Sequence, residues 1–126
     1  MTALAPSVTS FLREHLPRER NASSHTVASY AYAISLLLRY AANRLGRRPT
    51  ELTIEDLDPD LILGFLSHLE QDRSNTARSR NARFAAIRSF FRYLEYKVPA
   101  CLEQALRVQS LPMKKTDKAL IDYLRA

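Results

Sequence analysis

Residues 74–94 read SNTARSRNARFAAIRSFFRYL. Five arginines, preceded directly by Arg73, share the stretch with Phe84, Ile87, Phe90, Phe91 and Leu94, and no acidic residue occurs before Glu95. At roughly 100° per residue, Phe84, Ile87, Phe91 and Leu94 fall on one stripe about 80° wide, with Phe90 beside it. That spacing predicts an amphipathic α-helix, capped by Ser74 or Asn75, which buries its aromatic residues while most arginines face outward.

Working outward, the preceding segment TELTIEDLDPD holds a turn, and Asp58-Pro59 reads as a cap followed by proline at the first helical position. The helix it starts runs to about Asp72, with Leu61, Ile62, Phe65, Leu66 and Leu69 as its buried face. Further back, Ser24 is the expected cap of a helix ending before Gly46. Val27, Tyr30, Ile34, Leu37, Leu38, Ala41 and Leu45 form its core stripe, and Tyr32, Leu36 and Tyr40 lie on the other side. A first helix fits residues 6–16, stopped by Pro17, with Val8, Phe11, Leu12 and Leu16 on one face. A short fifth helix fits 100–109, and SLPMKKTDK follows as an exposed basic linker. With two glycines in 126 residues, prolines at segment edges and no alternating β-branched runs, the expectation is an all-α bundle of four main helices plus a short fifth.

The length suits one domain. An apolar fraction of 46% with 25% charged residues is ordinary for a globular chain, and no apolar run approaches the ~18 residues of a membrane span. The start, MTALAPSVTSFLREHL, lacks a basic leader followed by an apolar block, which points to the cytoplasm and to no membrane partner. Cys101 is the single cysteine and reads as a small buried residue. Three scattered histidines give no metal-ligand spacing, so neither metal nor cofactor is expected.

Charge is distributed in blocks. Residues 1–48 carry seven basic and two acidic side chains, 49–72 carry none and seven, and 73–126 carry twelve and four. Such separation suits a basic face for a polyanion with an acidic region turned away. The amino end of a helix already presents free N–H groups and partial positive charge, so it is a natural seat for phosphate. Arg78, Arg80 and Arg83 in the first two turns repel that end and one another, a conflict that a polyanion resolves. Asn75, Ser79 and Arg83, spaced i, i+4, i+8, form a stripe able to reach base edges. Arg78, Asn81, Arg88, Ser89 and Arg92 form a second polar stripe, from which Arg78 and Arg88 are expected on flanking phosphates and Arg92 as plain surface.

The pairing of SSHTVASYAYAISLLLRYA with SNTARSRNARFAAIRSFFRYL, separated by an acidic helix and followed by LPMKK, resembles the N-terminal core-binding domain of tyrosine recombinases, the phage-integrase family. The likeness covers roughly residues 6–115. It implies a compact, orthogonal, SAM-like bundle that forms half of a clamp around double-stranded DNA, with residues 1–112 as the core-binding domain and 113–126 as a basic linker and the start of a catalytic domain. It also implies that the starts of the second and fourth helices approach the major groove. Carried over by position, His25, Thr26 and Ser29 are the candidates on the second helix. Asn75, Thr76, Ser79 and Arg83 are those on the fourth, and Lys114 and Lys115 follow the DNA backbone.

The family's chemistry uses arginines, a lysine, histidine and a nucleophilic tyrosine of the C-terminal domain. The chain stops at KALIDYLRA, about where that domain is expected to begin. The polypeptide as given is therefore expected to bind DNA and cut nothing, and none of its six tyrosines, Tyr123 included, is nominated as catalytic. The expected partners are DNA and, in a synaptic complex, other recombinase protomers, the isolated domain itself being a monomer. Two other readings are a helical protein–protein interaction module using Tyr32, Leu36 and Tyr40, and a helix-turn-helix regulator. The second would bring an acidic helix across the phosphates, which Coulomb repulsion opposes.

Overall fold

The first helix runs through a proline. A computed structural model describes residues 1–115 and shows α1 (Leu4–Ser10) continuing into a π-helical stretch, Phe11–Glu19, that contains Pro17. In an α-helix a proline ring collides with the carbonyl four residues back. The wider turn relieves that collision: Arg20 N–H reaches the His15 carbonyl at 2.9 Å, five residues back. The expected stop at Pro17 is therefore replaced by an end at Asn21, whose φ of 50° turns the chain. His15 is thereby buried, stacked on Phe11 and lying 4.7 Å from the Tyr93 ring centroid.

The remaining helices are α2 (Ser24–Leu45), α3 (Pro59–Gln71), α4 (Ala77–Lys97) and α5 (Leu102–Gln109). Their starts are set by short polar side chains. Asp58 accepts from the Leu61 N–H at 2.8 Å with Pro59 at the first position, as its sequence implies. For α2 the cap is Ser23 rather than Ser24, which is already helical. For α4 the cap is Thr76 rather than Ser74 or Asn75. Ser74 has a left-handed φ of 55°, and the Asn75 N–H returns to the Leu69 carbonyl, so both residues complete the exit from α3. Gly46, at φ 66°, closes α2 in the left-handed conformation that glycine adopts without a Cβ clash.

The core is built on α4, which packs against α2, α3 and α5. Phe84, Ile87, Phe90, Phe91 and Leu94 are all buried, as are the five apolar positions expected on α3. Phe90 meets the edge of Phe11 at 5.3 Å, tying α4 to the first helix. On α2, Ile34, Leu37 and Ala41 are buried, whereas Leu45 is exposed. Leu36, read as outward-facing, is buried because α3 covers that side: the Tyr40 ring lies 5.6 Å from Phe65 and 5.2 Å from His68. Tyr32, Leu36 and Tyr40 thus form no continuous exposed patch.

Among the described residues there is no strand, only an isolated antiparallel bridge between Ala3 and Thr53. Ile54 N–H donates to the Thr2 carbonyl at 2.8 Å, and the Thr2 N–H donates to Glu55. Gln104 on α5 donates to the carbonyls of Ile54 and Leu57. The acidic segment is therefore held at both edges. Cys101 is buried, and desolvation raises its thiol pKa. Residues 116–126, with Tyr123 and the whole KALIDYLRA end, lie outside the described residues.

Two outcomes follow from this packing. Phe90→Ala should cost about 3–5 kcal/mol in chemical denaturation, from lost burial plus a cavity. The Glu55 carboxylate is held below its ordinary 4.5, chiefly by the Thr2 N–H. Since the folded value is the lower one, this contribution is present above the unfolded value and lost as pH falls through the folded one. Stability should therefore drop less between about pH 7 and about pH 3 in Glu55→Gln than in the wild type, measured by urea midpoints.

Candidate nucleic-acid interface

The helix amino ends differ in charge. The α3 end carries the Asp58 carboxylate on the Leu61 N–H and Asp60 in its first turn. The first turns of α2 and α4 contain no acidic residue. Their caps are the neutral hydroxyls of Ser23 and Thr76, so the positive end of each helix dipole is left without a carboxylate on its own first turn.

These two ends are joined by one stacking contact. The Arg83 guanidinium carbon lies 4.9 Å from the centroid of Tyr32, a cation–π arrangement between α4 and α2. His25, Ser29 and Tyr32 are spaced i, i+4, i+7 on one face of α2, and Ser79 and Arg83 are spaced i, i+4 on α4. The Tyr32–Arg83 contact therefore brings the two stripes alongside. At 1.5 Å per residue, the contact lies about 12 Å from the start of α2 and about 9 Å from that of α4.

His25, Ser29, Thr76 and Arg78 are exposed, and Asn75, Ser79 and Arg83 are partly buried. Thr26 is partly buried too, and its groups are committed locally: its N–H donates to Ser23 Oγ, and its hydroxyl accepts from the same group at 3.0 Å. Arg83 Nε is enclosed and has no hydrogen-bond partner, so the stack on Tyr32 holds this guanidinium.

Arg80 is placed differently from the surface contact expected of it. It is only 8% exposed, with Nε 3.5 Å from Glu70 Oε1, an ion pair too poorly angled to be a hydrogen bond, and Nη1 3.0 Å from Asn81 Oδ1. The signal lay in the spacing. Arg80, Phe84, Ile87, Phe91 and Leu94 are separated by 4, 3, 4 and 3 residues, so Arg80 sits on the core stripe.

The second stripe of α4 also acquires a shape. Arg88 packs 5.8 Å from the Phe84 ring centroid and lines a cleft of about 320 Å³ with Arg20, Tyr30, Ser89, Arg92 and Met113. Arg92, read as plain surface, is thus part of a basic cleft, and Arg20 joins it from a loop that helical periodicity cannot place. Lys114 is exposed, but its ammonium pairs with Glu70, and Lys115 is exposed. Among the described residues there is no cluster of three potential metal ligands and no helix long and apolar enough to cross a membrane.

Comparison with known proteins adds to this geometry. The family described as phage integrase, N-terminal SAM-like domain, matches residues 8–97. A Sinorhizobium fredii protein carrying the name integrase/recombinase y4rD is 47% identical over 121 residues, covering 96% of this chain and 43% of the relative. A second from the same organism, y4rC, is 39% identical over 122 residues, covering 97% and 37%. The tyrosine recombinase XerC of Caldanaerobacter subterraneus is 34% identical over 88 residues, covering 60% and 25%. The chain thus spans less than half the length of each of these relatives. No solved structure matches.

The sorting of arginines can be measured directly. Arg80→Ala should lower stability by about 2 kcal/mol, since it removes charge-assisted contacts and buried aliphatic packing. Arg78→Ala, at an exposed position, should stay within about 0.5 kcal/mol of the wild type in the same denaturation experiment.

Proposed function

The chain belongs to the family of phage-integrase N-terminal SAM-like domains, and from that premise we propose that it is the core-binding, DNA-gripping domain of a site-specific tyrosine recombinase. The observation that carries this reading is the pair of hydroxyl-capped helix starts, neither with an acidic residue in its own first turn, joined by Arg83 and Tyr32. Backbone N–H groups and guanidiniums supply attraction to phosphate that is independent of sequence. Asn75, Ser79 and Arg83 on one helix, and His25 and Ser29 on the other, supply donors and acceptors suited to base edges in a major groove.

In this reading Arg78 and Arg88 meet flanking phosphates, Lys115 follows the backbone, and Thr76 and Thr26 order the two helix starts. Lys114 joins them by exchanging Glu70 for a phosphate. Arg80 serves the fold. Residues 1–112 act as the binding unit, and residues 113–126 lead toward a catalytic domain in a longer protein. That domain, in the full recombinase, performs strand cleavage, and further protomers complete the synaptic complex. The bundle contributes position: it holds one side of the duplex so that the reactive phosphodiester meets the catalytic groups.

Fluorescence anisotropy with duplex DNA tests this. With about five phosphates neutralised, log K should fall against log salt with a slope of roughly −5. Arg83→Ala should cost about 1–3 kcal/mol and relax sequence preference at one position. Arg78→Ala should weaken all sequences alike and make the slope shallower by about 1. Absence of duplex binding at low salt, or binding that neither substitution alters, would reject the assignment.

A further inference from the structure

We propose that Glu70, Arg80 and Asn81 form a seat for the chain's own residues 112–114, so that the segment leaving the bundle follows a fixed course along α4 and is not a free tether. The starting point is an arginine in an awkward place. A guanidinium presents five N–H donors and stays charged in proteins. Arg80 buries one near the amino end of α4, where the helix dipole also disfavours positive charge. Such a group needs acceptors, and those near it come from the seat and from the segment it holds. Glu70 lies at the end of α3, the Asn81 amide oxygen lies at 3.0 Å, and the Pro112 carbonyl lies at 3.5 Å.

Asn81 makes the tighter connection. Its Nδ2 donates to the Lys114 carbonyl at 2.6 Å, and its Oδ1 accepts from the Lys114 N–H at 2.9 Å. A carboxamide offers a donor and an acceptor side by side, so one side chain satisfies both main-chain groups of one residue, much as a paired strand does. The Lys114 ammonium then returns to the second oxygen of Glu70, whose first oxygen faces Arg80. Glu70, Arg80, Asn81 and Lys114 thus close a ring across α3, α4 and the linker. Its members are up to 44 residues apart in sequence, so it is a tertiary contact and not a local turn.

The residues of the seat are positioning residues. They act on the direction in which the chain departs, and when DNA draws the Lys114 ammonium from Glu70 the two Asn81 bonds to the Lys114 main chain still hold it. The curated relatives extend well beyond the matched region, and in a protein of that size the seat would set the point from which the next domain hangs.

Amide hydrogen exchange and ¹⁵N relaxation on the 126-residue chain, without DNA, test the seat independently of the proposed function. The Lys114 amide should exchange at least about tenfold more slowly than an unstructured amide. Backbone order parameters for residues 112–114 should lie near the ~0.85 of rigid structure. In Asn81→Leu the Lys114 protection should vanish and those order parameters should fall below about 0.6, while protection across Phe84–Leu94 stays as it was. If that variant does not fold, Glu70→Gln carries the test, with Lys114 exchange quickened by about threefold or more and the α4 core unchanged. A wild-type Lys114 amide exchanging at the free rate, or protection indifferent to the substitution tested, would overturn the proposal.

Discussion

The structure depends on burying the aromatic stripe of α4 against three other helices. Phe84, Phe90 and Phe91 are almost wholly removed from water, and Phe11 reaches them from the first helix. Once that stripe is covered, the polar side of α4 has no freedom to choose its neighbours. Its first turns must emerge beside α2, its middle must face the basic cleft, and its last turns must run toward α5. Hydrophobic burial is non-directional, but applied to a helix with one apolar face it becomes an instruction about where every charge will stand.

Those charges are then divided between helix starts of opposite character. The α3 start binds its own carboxylate, while the α2 and α4 starts are capped by hydroxyls. The difference is small in each cap and large in effect, because a capping carboxylate neutralises the partial charge that would otherwise attract an anion. Arginine has two distinct employments within one helix. Arg83 lies across a tyrosine ring at the surface, and Arg80 braces the interior edge of the bundle.

Most of the fold was legible because it is written in short-range periodicity. The ten apolar positions expected on α3 and α4 are all buried, and the Asp58-Pro59 start falls where its chemistry puts it. What escaped depends on residues distant in sequence. Leu36 is buried only because α3 lies over it, and Thr76 replaces Ser74 as a cap only because Ser74 must turn the chain out of α3. The Pro17 helix continues because a wider turn is open to it, an option a simple proline rule omits. At the candidate interface, the arginine-rich helix start was readable from its residues, whereas His25, Thr26 and Ser29 on α2 came only with the family resemblance. The basic cleft was not readable, since Arg20 and Met113 come from irregular segments without a period. Arg80 was readable in principle, standing in step with the phenylalanines, but its charge argued against the position its spacing gave.

The small bridge between Ala3 and Thr53 makes the amino terminus a working part of the acidic segment. Thr2 and Leu4 exchange backbone hydrogen bonds with Ile54 and Leu52, and Thr2 also holds the Glu55 carboxylate. Trimming the chain by four residues would leave donors and acceptors unmatched fifty positions downstream, at the threshold of α3. An extension added ahead of Met1, by contrast, would meet open solvent, since that residue is fully exposed. For anyone attaching a dye or an affinity handle, the margin between a harmless site and a damaging one at this end is a few residues.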